Sequence, residues 1–101
     1  MVKFEYDPDK SAANRAKHGM SLEEAQALWE GPTIVVQARS DTEARWMLLG
    51  LLHGKCYACF FTVRGDIIRL ISARRSRRKE ERYYYEKIQT HDERSGTGYG
   101  V

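Results

Sequence analysis

The spacing of apolar residues changes period twice along the chain. Val2 to Tyr6 alternate and predict a short first strand. At Asp7 a helical pattern takes over, because an aspartate caps free backbone N–H groups and Pro8 suits a first helical position, whose N–H would be unpaired anyway. Ala12, Ala13 and Ala16 form the expected apolar side of this helix. Lys17, His18 and Gly19 end it, with cations at the negative end of the helix dipole and a glycine able to take the left-handed cap. Ser21 and Glu24 have capping-box spacing, and Met20 with Ala25 forms a hydrophobic staple. A second helix follows, with Leu22, Ala25, Leu28 and Trp29 as its buried stripe and Gly31-Pro32 as its stop.

From Thr33 the period falls to two. Thr33 to Gln37, Arg45 to His53, Lys55 to Val63 and Asp66 to Ala73 read as strands, separated by a polar stretch and two glycine-centred turns. A meander is the simplest arrangement. Cys56 to Thr62 is apolar at nearly every position, which predicts a central strand, with helices packed on one side of the sheet. The strand period is lost again at Ser76, and a helix is expected to Gln89 with Tyr84 and Ile88 one turn apart. The glycine- and serine-rich stretch after it reads as a disordered tail. The expected fold class is α+β: two N-terminal helices and a C-terminal helix on a mainly antiparallel sheet, in a single domain over residues 1–89 with a tail at 90–101.

A chain of 101 residues has room for one such domain. Its 42% hydrophobic and 31% charged residues are ordinary globular usage. No apolar run approaches the roughly 18 residues of a membrane span, and the N-terminus has no secretory or transit pattern, so a cytoplasmic protein with no membrane partner is expected. Two cysteines, Cys56 and Cys59, make no disulfide framework. The charge changes the picture more. Between Arg69 and Arg82 lie seven basic residues against two acidic ones, on a chain of net charge +3. Six of the seven are arginines, whose planar fork matches phosphate, so a polyanion such as nucleic acid is the favoured partner and a solvated helix face the bland alternative.

Residues with chemistry to offer stand out singly. Cys56 and Cys59 have CxxC spacing, but three residues apart on a strand they face opposite sides, and no metal is expected. No nucleotide-binding glycine motif or serine-nucleophile motif occurs, so no cofactor is expected. Arg69 shares its expected strand face with Ile67, Ile71 and Ala73, and is therefore paired with a helix carboxylate, at the sheet rim or facing a ligand. Arg74 and Arg75 fall where the last strand meets the third helix, and with that helix's free N–H groups they would converge on a phosphate. His18 is either a general acid–base or a helix-end group satisfying carbonyls. Glu80 and Tyr84 share a helix face, where packing is the plain account. Trp46 reads as core, with base stacking the lesser alternative.

Phe4-Glu5-Tyr6-Asp7-Pro8, Asn14, Lys17-His18-Gly19, Glu43-Ala44-Arg45-Trp46 and Arg64-Gly65-Asp66, followed by Arg69-Leu70-Ile71-Ser72-Ala73-Arg74, resemble the BrnT family of type II toxins over residues 2–88. The resemblance implies a RelE-like fold and a metal-independent endoribonuclease that inhibits translation, held in check by a BrnA-like antitoxin that also carries the complex to DNA. It departs at Arg77, where the family often has a small residue or threonine that could cap the third helix; here Ser76 would have to do that work, or the helix starts differently. Metal-free RNA cleavage has a 2′-hydroxyl attack its neighbouring phosphate, and it needs a proton acceptor, cations and a donor to the leaving oxygen. On this reading Arg69 and Arg74 meet phosphate and transition-state charge. His18 or Glu80 accepts a proton, and Lys17 and Tyr84 donate or orient. Arg45, Arg75 and Arg78 contact the substrate backbone. The alternatives are a nucleic-acid-binding module without catalysis and a domain whose basic edge docks the antitoxin.

Overall fold

The computed structural model describes residues 2–41 and 43–97, with side chains as far as residue 89. The elements in chain order are β1 (Lys3–Glu5), α1 (Pro8–His18), α2 (Leu22–Ala25) continuing into a 3-10 turn (Gln26–Glu30), β2 (Ile34–Ala38), β3 (Arg45–Leu52), β4 (Lys55–Arg64), β5 (Ile67–Arg75) and α3 (Arg78–Thr97). The sheet has the order β1-β5-β4-β3-β2. Its last four strands form the expected antiparallel meander with β4 in the centre, and β1 adds in parallel to β5. The architecture is α+β with three helices on a five-stranded mixed sheet. The β3–β4 hairpin closes on His53-Gly54, both at positive φ, the pairing that matches the right-handed twist of the strands.

Helices cover both faces of the sheet, not one. Met20, Leu22, Ala25 and Leu28 pack with Leu48, Cys59, Phe61, Leu70 and Ala73 on one face. Tyr84 and Ile88 of α3 pack with Leu49, Cys56 and Ala58 on the other. A strand apolar at every position has two faces to hide, and each needs its own cover. Cys56 and Cys59 accordingly sit in opposite clusters, as strand geometry requires.

The caps of the first two helices stand where the sequence put them. Asp7 accepts from the backbone N–H of Asp9 and Lys10, Gly19 ends α1 in the left-handed conformation, and Ser21 with Glu24 makes a complete capping box. The second helix, however, keeps only one α turn before it tightens into 3-10. α3 runs on to Thr97, past the expected end at Gln89; no proline or glycine interrupts the chain from Ser76 to Ser95. The rest of the expected tail, residues 98–101, lies outside the described residues.

The buried side of α1 is polar. Ala12, Ala13 and Ala16 are exposed, while Ser11 and Asn14 are buried. Asn14 Nδ2 donates to the carbonyls of Met20 (2.6 Å) and Ala73 (2.8 Å), and its Oδ1 accepts from the Ala73 N–H (3.2 Å). Ser11 Oγ accepts from the Leu22 N–H at 2.9 Å. Because β1 pairs β5 only as far as Arg69, the outer edge of β5 is left open beyond it, and the Asn14 amide closes that edge at Ala73.

Asn14→Ala strands three buried backbone groups, each costing roughly 1–3 kcal/mol when unpaired. The expected loss is about 3 kcal/mol or more, a fall in Tm of more than 10 °C at this chain length. Ala16→Glu, on the side expected to be apolar, should stay within about 0.5 kcal/mol. Urea unfolding of both variants checks the contrast; equal losses would disprove the polar anchoring of α1.

Candidate active site

Arginines gather on the face of the sheet that α3 covers only in part. β5 carries Arg74 at its C-terminal end, where Arg74 lies opposite Ala58. Its guanidinium forks onto Glu80, Nη1 to Oε1 and Nη2 to Oε2, both at 2.9 Å. It also stacks over Phe60 with its carbon 5.2 Å from the ring centroid, and donates to the Arg75 carbonyl at 3.1 Å. A guanidinium has five N–H donors, so Nε and one Nη2 hydrogen remain for a ligand.

Glu80 does two jobs. Besides Arg74 it accepts the Arg77 N–H at 2.7 Å, reaching back from the first turn of α3 to its cap position. Ser76 is not the cap: its hydroxyl and N–H both donate to the Cys56 carbonyl, at 3.1 and 3.0 Å. The Glu80 carboxylate thus fills the place where a phosphate was expected between the arginines and the helix start. The Arg74 hydrogen bonds hold its carboxyl below the usual carboxylate range, which makes it a weak proton acceptor near neutral pH, and they raise the Arg74 guanidinium in turn.

Arg75 points the other way, as a strand neighbour must. It stacks on Tyr57 at 5.6 Å and donates from Nε to the Cys56 carbonyl at 3.2 Å, away from Arg74. Arg69 pairs with Glu5 at 2.9 Å, a carboxylate of the neighbouring strand β1 and not of a helix. A bulge at Ile71, which faces no residue of β4, flips the alternation, so Ala73 joins Ile68 and Leu70 on the opposite face from Arg69. Arg45 opens β3 with its Nη2 4.0 Å from Glu43, and Arg78 is exposed on the first turn of α3.

Tyr84 is core, 1% exposed, and its hydroxyl donates to the Pro32 carbonyl at 2.8 Å. The phenol on the open side is its neighbour Tyr83, which with Lys79, Glu80, Val36, Met47 and Leu49 lines a shallow cavity of about 260 Å³. Strand alternation alone would have put Met47 and Phe60 beside Arg74, and the one-turn spacing of Tyr84 and Ile88 puts Tyr84 on the packed side of α3 and leaves Tyr83 off it. Lys17 and His18 end α1, which Asn14 fastens in the plane of the sheet against the open edge of β5, one turn before His18. Trp46 is half-buried against the opposite cluster.

The thiols offer little chemistry: burial pushes Cys59 up to about 12 and raises Cys56 as well. Among the described residues no three His, Cys, Asp or Glu side chains stand together as metal ligands, and no helix is long and apolar enough to cross a membrane.

Residues 6–80 match the model of a protein family described as the ribonuclease toxin BrnT of type II toxin-antitoxin systems. No curated protein matches the chain.

Because the Glu80 carboxyl is lowered in the folded state, its contribution is present above the ordinary carboxyl value of 4.5 and is lost as pH falls through the folded value. Glu80→Gln is expected to lower Tm at pH 7, with the gap to wild type closing as pH falls below the ordinary carboxyl value of 4.5. Thermal melts of both proteins from pH 7 to pH 3 measure this; a gap that does not change with pH would show that the pairing with Arg74 carries no net charge term.

Proposed function

The chain belongs to the BrnT family of ribonuclease toxins of type II toxin-antitoxin systems, and from that premise we propose that it is a metal-independent endoribonuclease with a RelE-like fold that cleaves RNA on the open face beside β5. The observation that carries the reading is the placement of Arg69 and Arg74 on one face of β5, each oriented by a carboxylate at 2.9 Å. Cations held in place before the substrate arrives stabilise developing phosphate charge without reorganisation.

In this mechanism the RNA backbone crosses from Arg69 to Arg74. The 2′-hydroxyl attacks the adjacent phosphorus, its proton goes to His18, and the 5′-oxygen leaves with a proton from Lys17, giving a cyclic phosphate and a 5′-hydroxyl. Glu80 is kept ionised by Arg74, so the acceptor role falls to the His18 imidazole. Arg45 and Arg78 hold flanking phosphates, and Arg75 contributes from the far face. Tyr84 takes no part in the chemistry, since its hydroxyl is committed in the core. Inhibition of translation follows from loss of RNA. A type II toxin has an antitoxin partner; here it is a BrnA-like protein that covers the arginines and supplies the contact with DNA, in the cytoplasm.

Arg69→Ala and Arg74→Ala should each lower RNA cleavage by about a hundredfold or more and abolish growth arrest on induction, with the fold intact by circular dichroism. His18→Gln should lower cleavage by a similar factor. Tyr84→Phe should lower stability but not the cleavage rate of the folded fraction. RNA integrity after induction, with purified protein in parallel, checks all four; full toxicity of both arginine variants would overturn the site.

A further inference from the structure

Arg45 Nε and Thr62 Oγ1 are, among the described residues, the buried side-chain polar atoms with no hydrogen-bond partner. They are neighbours. Trp46 lies opposite Phe61, so one step along the antiparallel pair brings Arg45 beside Thr62. Both face the side that carries Arg69, since Thr62 lies opposite Arg69 and alternates with Phe61, which belongs to the other core. The row across the sheet is therefore Arg45, Thr62, Arg69 and Glu5.

Thr62 is 3% exposed. A buried hydroxyl without a partner is unfavourable, and the other buried polar side chains, Ser11 and Asn14, are hydrogen-bonded. Arg45 Nε–H can only donate, and the threonine hydroxyl can donate as well as accept, so one acceptor placed between them satisfies both. The local carboxylates are engaged elsewhere. Glu5 is on Arg69 at 2.9 Å, and Glu43 reaches only the outer nitrogen of Arg45 at 4.0 Å, in a solvated pair of little strength.

We propose that Arg45 and Thr62, with Arg69 one strand further on, form a second anion seat for an RNA backbone phosphate, separate from the Arg74–Glu80 end of the face. It rests on the reading of the chain as an RNA-cleaving enzyme. The seat and Arg74 are divided along β5 by the residues between 69 and 74, roughly 15 Å of strand, so a nucleic-acid strand crossing the face meets both. A repeating polyanion fits two such seats better than an isolated carboxylate does, and the local balance of two arginines against two glutamates favours an occupant held by geometry as well as by charge.

The test is binding of a single-stranded RNA oligonucleotide carrying 2′-O-methyl groups, which cannot be cleaved by 2′-hydroxyl attack, with Tm measured alongside. Thr62→Val and Arg45→Lys are expected to weaken binding about tenfold, and Thr62→Ser to stay within twofold of wild type. Thr62→Val should melt no lower than wild type, because it removes an unpaired hydroxyl. Binding by Thr62→Val within twofold of wild type overturns the proposal, as does weakened binding only of a protein partner. If wild type binds no oligonucleotide, the RNA reading itself fails, and the seat is then judged with inorganic phosphate alone. A Tm rise in wild type that Thr62→Val lacks sustains an anion seat; no such rise overturns it.

Discussion

One side-chain amide decides where the arginines stand. β1 contributes three residues and leaves β5 without a neighbour beyond Arg69, although the residues that matter for charge continue to Arg75. An open strand edge frays or recruits another chain. Asn14 prevents both by offering Ala73 a carbonyl and an N–H in the plane of the sheet, as a paired strand would, and by holding the turn at Met20 with its second hydrogen. α1 is thereby fixed as a substitute edge strand at Ala73. The end of β5 that carries Arg74 is thus closed by a residue that takes no part in chemistry.

The cations are held by carboxylates that also restrain them. Arg69 has Glu5, Arg74 has Glu80, and the more exposed Arg45 has Glu43. Partly exposed pairs of this kind contribute about 1 kcal/mol or less to stability, so their larger effect is on geometry. Glu80 is the clearest case, because the same carboxylate caps α3 and grips Arg74, coupling the helix start to the end of β5. A phosphate arriving at Arg74 finds two free donors and a neighbouring negative charge. That combination disfavours tight, indiscriminate binding of anions and favours ligands that also engage the rest of the face.

How much of this was legible in the sequence depends on what kind of interaction did the work. Local backbone chemistry was legible: Asp7-Pro8, Ser21 with Glu24, Gly19 and the two turns act within a few residues, and the meander with β4 at its centre followed from them and from the apolar run at Cys56 to Thr62. Side-chain hydrogen bonds over long separations were not. Ala12, Ala13 and Ala16 looked like the buried side of α1, and Ser11 and Asn14 took that place because their partners lie 11 and 59 residues away. The bulge at Ile71 is equally silent, and it reassigned Ala73. The arginines of the candidate site were found from composition and strand position, whereas the partners that orient them, Glu5 for Arg69 above all, needed the parallel addition of β1.

A small domain makes an unpaired buried group informative. Net stability for a chain of this size is about 5–15 kcal/mol, and a stranded hydroxyl removes roughly 1–3 of it. Valine has nearly the shape of threonine and a stronger preference for buried strand positions, so a sheet selected for stability alone would carry valine at 62, as it does at the exposed position 63. The order is inverted here: the hydroxyl is inside and the isopropyl group is outside, 51% exposed. The apolar surface at Val63 continues into Val35, Trp46 and Phe61 on the face away from the arginines, and the polar atoms at Arg45 and Thr62 turn toward them. The two sides of the same strand pair therefore differ in kind: one presents surface suited to apolar contact, and the other presents donors without acceptors beside a row of cations. That division gives the chain two chemically distinct surfaces within a single sheet.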